Sequence, residues 1–586
     1  MKTFGIDLGT TNCAVAYAGV SEDGEERKDG VFAIPQLVDT GVVEARNTLP
    51  SFIYLPASHE IGGMDLSLPW DEVNMVAVGT MARKEGSKKP DRLISSAKSW
   101  LSQEGVDRTK AILPWKGAED LTAMSPVAAS TEYLKHLVSA WKFENPTETL
   151  GESEVVLTVP ASFDAVAREL TAEAARSAGL SKLTLLEEPQ AAFYAWLDNC
   201  GDGWREQVKK GDLVLVCDVG GGTTDLTLIQ VHESEGDLDL ERVAVGNHIL
   251  LGGDNMDLTL AMVVRQRLKA EGTTLDSWQF QVLTYGCREA KETLLSDPST
   301  DEFPITIPGR GSSLIGGSVQ VTVTREEAEK ALFGGFFPEV ELGSAPAGKR
   351  KVGLTELGLP YEMDPAITRH LSGFLGDRKP TAVLFNGGVF RAAGMRNRLM
   401  SVLESWYGEP VRELSGTDLE LAVAKGAARY GLVKQGHGIR IRGGLTRAYY
   451  IGVELAMPAI PGMEPPIKAV CVAPQGMEEG TSLEVPDQDF GLVLGEPVEF
   501  PFLASTEKTE DEVGKVREEW EAEGIEQLAA VGATLQAAEE ESEAHRAVPV
   551  RLQTVATEIG TLELYCVERD GPGRWKLEFN VRHEDE

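Results

Sequence analysis

VLVCDVGGGTTD, residues 214–225, and FGIDLGTTN, residues 4–12, are the two stretches of sequence that decide the fold. Each is an apolar run that ends near an aspartate, followed by small residues rich in glycine and threonine and then by renewed apolar residues. This order predicts a hairpin of two β-strands around an anion, because glycines let backbone N–H groups approach phosphate oxygens. The two stretches lie about a domain's length apart. They therefore predict a duplicated fold with a nucleotide in the cleft between its halves.

The composition indicates an acidic protein of several domains. A chain of 586 residues is too long for one hydrophobic core, and its hydrophobic content of 42% is ordinary. The formal net charge of -36 argues against binding nucleic acid or an anionic membrane through bulk charge. We expect no membrane span and no signal peptide. The six scattered cysteines are expected to be reduced core residues of a cytoplasmic protein.

The segments between and after the two loops indicate an α/β sheet. A strand at 154–160 is followed by a helix at about 164–178, a second strand at 183–186 and another helix from about residue 190. A basic helical stretch is predicted over 82–101. His248, which precedes a Gly-Gly pair, is interpreted as structural rather than catalytic.

The character of the sequence changes near residue 435. Proline, glycine and short alternating runs dominate up to about residue 503 and predict an antiparallel β-domain. Residues 507–545 are rich in glutamate and alanine, so we expect an acidic helical insertion or a mobile segment. Two further strands are predicted near the C-terminus, with no helical lid after them.

Several stretches occur in the order used by the actin-like ATPase superfamily. Over about residues 3–432 the chain resembles the 70-kilodalton heat-shock-protein chaperones of the DnaK type. The similar stretches are IDLGTTN, VVLTVPASFDAVARELTAEAARSAGL, LLEEPQAAF, VLVCDVGGGTTDLTL, LGGDNMD and AVAKGAA. The resemblance implies a two-lobed actin-like (ribonuclease H-like) α/β ATPase domain over 1–434, a linker over 435–444 and a β-rich substrate-binding domain over 445–586.

The resemblance also implies a site for ATP or ADP with Mg²⁺. The implied catalytic residues are Lys98, Glu188, Asp218, Thr223 and Asp225. The implied nucleotide-binding residues are Gly9, Thr10, Thr11, Asn12, Gly220, Gly221, Gly222, Thr223, Gly252, Gly253, Lys291, Gly387, Gly388, Arg391 and Glu420. Asp7 and Asp218 would hold the magnesium through bound water. Glu188, Asp218 or Asp225 could polarise the attacking water, and the sequence leaves this choice open.

The adenosine side departs from the family pattern. Glu292 stands where these chaperones carry an arginine against the adenine, and Leu295 and Val389 stand where they carry serine. Losing a cation stacked on the base would cost about 1 kcal/mol. We therefore predict weaker or less base-selective nucleotide binding. The linker also departs, because residues 438–444 are basic where the family has an acidic, leucine-containing linker.

These observations favour an ATP-dependent chaperone that couples ATP hydrolysis, at a rate that could be slow, to binding of unfolded or extended polypeptides. Such a protein would serve protein folding and the stress response, with a J-domain co-chaperone and a nucleotide exchange factor as partners. The alternative is a nucleotide-sensing scaffold with weak ATPase activity and one dedicated protein partner. A small-molecule kinase of the same superfamily is a third, disfavoured hypothesis.

Overall fold

The chain is a mixed α/β protein with several separate sheets. The computed structural model describes residues 2–20, 28–61, 63–103, 105–234, 237–309, 318–348, 358–359, 361–414, 416, 418, 419–441, 443–445, 447–455, 465–478, 480–486, 488–493, 497–508, 510–528, 531–534, 547–557 and 561–579.

The helices within these residues are spread over the first three quarters of the chain. They are α1 Ser58–Ile61, α2 Thr80–Lys88, α3 Ala97–Trp100, α4 Pro126–Glu144, α5 Ala165–Ser177, α6 Glu188–Cys200, α7 Trp204–Gln207, α8 Gly253–Ala270, α9 Ser277–Ser296, α10 Arg325–Phe336, α11 Ile367–Leu375, α12 Ala393–Tyr407 and α13 Ala422–Lys434. None of the helices in the described ranges is long and apolar enough to cross a membrane.

The strands alternate with these helices up to residue 413 and then follow one another directly. Those of the first part are β1 Lys2–Leu8, β2 Asn12–Gly19, β3 Gly30–Val31, β4 Ile34–Asp39, β5 Val42–Arg46, β6 Leu49–Pro50, β7 Ile53–Tyr54, β8 Ala77–Val78, β9 Leu93–Ile94, β10 Glu154–Val159, β11 Leu183–Glu187, β12 Leu213–Val219, β13 Thr224–Ser234, β14 Asp237–Val245, β15 Glu302–Ile307, β16 Val319–Thr324, β17 Ala382–Asn386 and β18 Arg412–Glu413. Those of the second part are β19 Ala448–Glu454, β20 Ile467–Ala473, β21 Ser482–Glu484, β22 Phe490–Val493, β23 Pro497–Phe500, β24 Phe502–Ser505, β25 Val516–Arg517, β26 Glu526–Gln527, β27 Val531–Thr534, β28 Ala547–Ala556, β29 Leu562–Glu568 and β30 Arg574–Phe579.

Two sheets of the first part have the same topology. One has the order β11-β10-β1-β2-β3 and the other the order β18-β17-β12-β13-β14. In each, the first three strands in sequence are antiparallel neighbours, and the next two join the far side of the first strand in parallel. The structure therefore repeats one strand order, as the paired loop motifs predict.

Helices α6 and α13 lie between these two sheets. Gly426 of α13 packs against the backbone of α6, since a Cβ at this position would overlap the carbonyl of Ala191. Gly5 of β1 likewise leaves no room for a side chain beside the backbone of Ala424 and Ala428. Small residues thus allow close contact between the helix layer and the first sheet, which fixes how the two sheets face each other.

The second part of the chain is a sandwich of two antiparallel sheets. One has the order β25-β20-β19-β24-β26, and the other has β21-β28-β29-β30-β27-β23 with β22 paired to β28. Their facing apolar side chains form one core, in which Ile451 and Val470 of the first sheet are clustered with Leu552 and Leu564 of the second. Ala165, at the start of α5, belongs to the same cluster. The sandwich therefore packs on the first part of the chain.

The segment between the two parts lies against the first part. Ile441 is buried, and its backbone N–H donates to the Tyr194 hydroxyl at 2.9 Å. Arg242 donates to the carbonyl of Gly444 and also pairs with Glu187. The described residues between α13 and β19 form no strand, although their alternating sequence is strand-like. Contacts with the first part of the chain therefore take the place of the hydrogen bonds that a strand would make with a neighbouring strand.

Other expectations differ from the structure in two places. The basic stretch over 82–101 is not one helix, because Pro90 follows the end of α2 and cannot continue it. In the described part of 507–545 the chain forms β25, β26, β27 and one 3₁₀ turn rather than a helix. Residues 509, 529–530 and 535–546 lie outside the described residues. The six cysteines are free, and five of them are buried, as expected of core residues.

Candidate active site

The two glycine- and threonine-rich loops are equivalent hairpin turns. Between β1 and β2, the Gly9 N–H donates to the Asn12 carbonyl at 3.1 Å. Between β12 and β13, the Gly220 N–H donates to the Thr223 carbonyl at 2.9 Å. Each turn thus closes over two central residues, and each follows the strand that carries an aspartate.

The two turns pack directly against each other. A Cβ at Gly221 would overlap the Thr11 hydroxyl, so only glycine fits there without a shift. A Cβ at Gly222 would lie 2.9 Å from Thr10 Cγ2 and 2.7 Å from Ser99 Oγ. The glycines of the second turn are therefore required by the approach of the first turn, as well as being free to expose backbone N–H groups.

Helix α8 begins on the second turn. The N–H groups of Gly253 and Asp254 donate to the carbonyls of Gly220 and Gly221 at 3.0 and 2.7 Å. These bonds satisfy two of the N–H groups that the first turn of a helix leaves without intrahelical partners. Gly252 precedes them, and a Cβ there would lie 2.7 Å from both carbonyl oxygens. The Gly-Gly pair thus packs beneath the turn.

Four carboxylates and one lysine meet beneath the turns. The carboxylates are Asp7, Glu188, Asp218 and Asp225, and the lysine is Lys98, which forms an ion pair with Glu188. Burial alone would lower the pKa of Lys98, but the charge of Glu188, followed by that of Asp7, outweighs burial and raises it. Lys98 therefore stays protonated, and the cluster is negative when its carboxylates are ionised.

This crowding changes the acidity of the carboxylates. Burial, followed by the charge of Glu188, raises the pKa of Asp7 to about 7, although the Thr158 hydroxyl donates to Asp7 at 3.0 Å. Burial and Glu188 raise the pKa of Asp218 well above its usual range, against the amide of Asn386, which donates to Asp218 at 2.7 Å. These are the shifts that a nearby cation would reverse.

Asp225 lies deeper than the other carboxylates. It accepts the backbone N–H of Ser162 at 3.2 Å and the Ser162 hydroxyl at 2.7 Å. Burial raises the pKa of Asp225, and both hydrogen bonds from Ser162 oppose the rise. Ser162 is therefore the immediate support of this carboxylate.

Lys291 and Arg288 of α9 are tied to α8. The Lys291 ammonium donates to the Gly253 carbonyl at 3.0 Å and lies 2.6 Å from Asp257. Arg288 pairs with both Asp254 and Asp257, at 2.5 and 2.7 Å. Both side chains border the cleft, and both are paired with carboxylates of α8.

One cleft of about 570 Å³ joins the phosphate-type loops to the predicted adenosine side. The predicted residues on its wall are Asp7, Gly9, Thr10, Thr11, Asn12, Glu188, Asp218, Gly220, Gly221, Thr223, Gly253, Lys291, Gly387, Gly388, Arg391 and Glu420. Four predicted residues do not border the cleft and lie behind its wall. They are Lys98, Gly222, Asp225 and Gly252.

The predicted adenosine side is mixed in character. Glu292, Leu295 and Val389, the three departures from the family pattern, all border the cleft. Arg391 and Glu420 are exposed and lie 3.8 Å apart. Gly387 has φ +88°, and a Cβ there would lie 2.6 Å from Asp218 Oδ1, which accounts for glycine at the end of β17.

Two residues that contact the carboxylate cluster, Asn386 and Ser162, were not predicted from the sequence. Asn386 pairs in register with Asp218, and its buried Oδ1 has no hydrogen-bond partner among the described residues. The sequence indicates Asn386 only through its position at the end of an apolar run, directly before Gly387. Ser162 carried no comparable signal, since a serine after a proline and an alanine is common in loops.

The donor set fits a magnesium ion that keeps most of its waters. Asp7 and Asp218 offer carboxylate oxygens on the cleft wall, and the Asn386 Oδ1 atom is an unused acceptor beside them. Among the described residues, no three histidine, cysteine or acidic side chains are arranged to ligate an ion directly. Mg²⁺ commonly binds through one or two carboxylates with several waters, so these two observations agree.

The repeated sheets and the paired turns are consistent with the class of actin-like ATPases. Comparison with known proteins finds similarity over about half of the chain. Residues 71–337 match the family model described as Hsp70 protein. Over 308 residues, 50% of this chain, the sequence is 30% identical to the chaperone protein HscA homolog of Tolumonas auensis, and the match spans 42% of that relative's length. The chain is thus similar to the Hsp70 family over residues 71–337.

Proposed function

We propose that this protein is an ATP-dependent chaperone of the Hsp70 type. The observation that carries the proposal is the pair of hairpin turns in contact above a buried cluster of carboxylates and Lys98. Phosphoryl transfer to water needs neutralisation of charge, in-line positioning and an acceptor for the water's proton. The cluster and the turns supply groups for each of these tasks.

The phosphates of ATP would lie between the turns, held by backbone N–H groups of residues 10–12 and 221–223. Magnesium, held by Asp7 and Asp218 through water, would supply charge neutralisation at the phosphates. Glu188 borders the cleft and is held by Lys98, so it could orient the attacking water. Asp225 lies behind the wall and would act through its field or an intervening water. The base would lie between Arg391 and the cleft-facing turn of α9.

The proposal divides the chain into three functional units. Residues 1–434 would form the two-lobed ATPase domain, residues 435–444 the linker, and residues 445–586 the domain that binds an extended polypeptide. An extended chain would be bound through main-chain hydrogen bonds and a few apolar pockets. The burial of Ile441 and the contact of Arg242 with Gly444 support coupling, because the linker lies against both repeated sheets.

The proposed partners are unfolded or extended polypeptides, a J-domain co-chaperone and a nucleotide exchange factor. The support is the match of residues 71–337 to the Hsp70 family model and the chaperone name of the Tolumonas relative. A cytoplasmic location is proposed from the six free cysteines, since disulfides are rare in that compartment.

A second candidate is a nucleotide-sensing scaffold with weak turnover and one protein partner. Its support is specific to this chain: Glu292, Leu295 and Val389 face the cleft where the base would bind. An acidic and apolar wall would hold adenine less tightly than a stacked arginine.

The test is ATP hydrolysis measured with and without a library of apolar peptides. Stimulation by many peptides supports the chaperone, whereas binding without turnover and capture of one partner supports the scaffold. Asp218→Asn and Glu188→Ala should each lower turnover at least about 100-fold while the chain stays folded. Near-wild-type hydrolysis in both variants would refute the site, and phosphate transfer to a sugar would refute both functions.

A further inference from the structure

A chain of hydrogen bonds runs behind the cleft from Asp225 to Ser102. The Ser162 hydroxyl lies 2.7 Å from Asp225 Oδ1 and 2.7 Å from His248 Nδ1. The other ring nitrogen, His248 Nε2, lies 3.0 Å from the Ser102 hydroxyl. The members come from four separate segments of the chain. Both ring nitrogens of His248 therefore have a hydrogen-bond partner, and one of these partners, Ser162, contacts Asp225 of the proposed catalytic cluster.

The charge state of His248 is fixed by its surroundings. Burial, followed by the positive charge of Arg447, lowers the pKa of His248 to about 4, while Asp164 opposes the shift. Phe163 packs its ring against the imidazole at 6.0 Å between centroids. At neutral pH the ring is therefore uncharged and carries one N–H.

Counting protons then gives the direction of the two bonds at Ser162. An ionised Asp225 can only accept, so the single proton of the Ser162 hydroxyl is donated to Asp225. Ser162 must then accept from His248, which places the imidazole proton on Nδ1. His248 Nε2 is left as an acceptor for Ser102, which divides its single hydroxyl proton between Nε2 and the Ser99 carbonyl, each at 3.0 Å. In the other tautomer, Nδ1 would compete with Asp225 for the Ser162 proton. The Nδ1-protonated form is favoured because a hydrogen bond to a charged carboxylate is stronger than one between neutral groups.

We propose that Ser162 and His248 are positioning residues for Asp225, with the imidazole protonated on Nδ1 and directing the Ser162 hydroxyl proton to the carboxylate. The inference rests on the proposed ATPase function. It assigns to the pair the task of holding Asp225 in one orientation and ionised beside Lys98 and Glu188 during hydrolysis. His248 acts through Ser162 and does not touch the nucleotide site.

A residue of the second part of the chain also acts on Ser162 and His248. Arg447, which is buried just before β19, donates to the Ser162 carbonyl at 3.4 Å. Its charge is also one reason why the His248 ring is neutral. Separation of the β-sandwich would remove this charge from His248. Through Arg447, the second part of the chain therefore contacts Ser162, which holds Asp225.

The test compares variants at His248 that keep one nitrogen position each. In His248→Asn the amide nitrogen can occupy the place of Nδ1, whereas in His248→Gln it occupies the place of Nε2. Ser162→Ala and His248→Gln should each lower kcat about tenfold with little change in KM for ATP. His248→Asn should recover most of the rate. Because Asp225 loses a donor, the acid limb of the kcat–pH profile should move to higher pH in Ser162→Ala.

The matched control is His136→Gln. His136 is also buried, its pKa is also lowered to about 4 by burial, and its Nε2 contacts the Pro35 carbonyl at 2.9 Å, away from the cleft. Its variant should keep the wild-type kcat whatever its melting temperature. Imidazole ¹⁵N shifts of the wild-type chain give a second measurement that needs no variant. They should show a neutral ring protonated on Nδ1.

The outcomes separate this inference from the proposed function. An active wild-type chain whose Ser162→Ala and His248→Gln variants keep the wild-type kcat and pH profile would overturn the inference alone. So would an Nε2-protonated or charged His248, or a His248→Asn variant as slow as His248→Gln. A wild-type chain that binds no ATP and hydrolyses none would overturn the proposed function, and the inference with it.

Discussion

At the scale of single residues, the contact between the two turns leaves no room for a side chain at Gly221. Gly221→Ala would force its methyl group into the Thr11 hydroxyl and push the turns apart. We expect ATP affinity to fall about tenfold or more, the cost of overpacking a close contact. Isothermal titration calorimetry with ATP and magnesium measures it. Gly335→Ala in α10, where a Cβ meets nothing within 4 Å, is the control. Equal affinity in both variants would contradict the role of the contact.

The raised pKa of Asp7 gives a prediction about stability and pH. Between the ordinary value of 3.8 and about 7, the folded chain binds one proton more than the unfolded chain at this site. Its stability therefore falls as pH rises through this window. In chelator at pH 8, Asp7→Asn should be more stable than the wild type by about 2 kcal/mol, with the gain lost near pH 4.

Urea unfolding at several pH values measures this difference. Asp39→Asn is a control of opposite sign, since Lys84 donates to Asp39 and holds its pKa below the usual value. That variant should be slightly less stable than the wild type at neutral pH. Magnesium with ATP should shrink the gain of Asp7→Asn. A gain that is independent of pH would show that Asp7 is not titrating as the structure indicates.

The residue scale also shows what the sequence could predict. The aspartates and glycines of the two turns were predicted because each motif is contiguous and its spacing sets the hairpin. Ser162 and His248 were not paired, because 86 positions separate them and their contact exists only once β-strands from both repeated sheets meet. Asn386 escaped because its partner Asp218 is supplied by strand register, which no local pattern encodes.

At the scale of elements, helix α9 lines the side of the cleft where the base is proposed to bind. Helix α9 presents Glu292 and Leu295 to it, with Ser296 alongside. Glu292→Arg would replace a carboxylate by a cation able to stack on a base. We expect about fivefold tighter ATP binding and a larger preference for ATP over GTP.

Competition binding with both nucleotides tests this prediction. Glu289→Arg, one turn earlier on α9 and outside the cleft wall, is the matched control and should leave both affinities unchanged. A wild-type dissociation constant for ATP in the low nanomolar range would contradict the premise that the base side is weakened.

Secondary-structure elements were predicted well where the pattern lies in the local sequence. They were predicted poorly where pairing with distant strands determines the structure. Helix α5 has the expected bounds, because it begins at an aspartate N-cap followed by helical periodicity. The acidic segment after residue 507 suggested a helix from its glutamates and alanines. In its described part, however, pairing of β25 with β20 and of β26 with β24 determines the structure. Such tertiary contacts override intrinsic propensity.

At the scale of the whole molecule, the linker decides between the two functional candidates. Arg440 is an exposed basic residue next to buried Ile441, so the linker offers a trypsin site whose access depends on docking. If nucleotide moves the β-sandwich relative to the proposed ATPase domain, cleavage after Arg440 should differ at least severalfold between ATP and ADP. Mass spectrometry of the two fragments against time measures this. A scaffold without coupling would be cut at the same rate in both.

The Ile441→Asp variant separates docking from nucleotide binding. A carboxylate in place of the buried isoleucine would lose apolar burial and carry a charge into the contact with Tyr194, so the linker should leave its site. We expect rapid cleavage in both nucleotide states, while affinity for ATP stays close to that of the wild type because the cleft is built from other residues. His437→Asp, on the exposed turn after α13, is the control and should keep the wild-type pattern. Slow, nucleotide-independent cleavage of the Ile441→Asp variant would mean that contacts of the sandwich itself, such as Thr506 with Asn247, hold the two parts together without the linker.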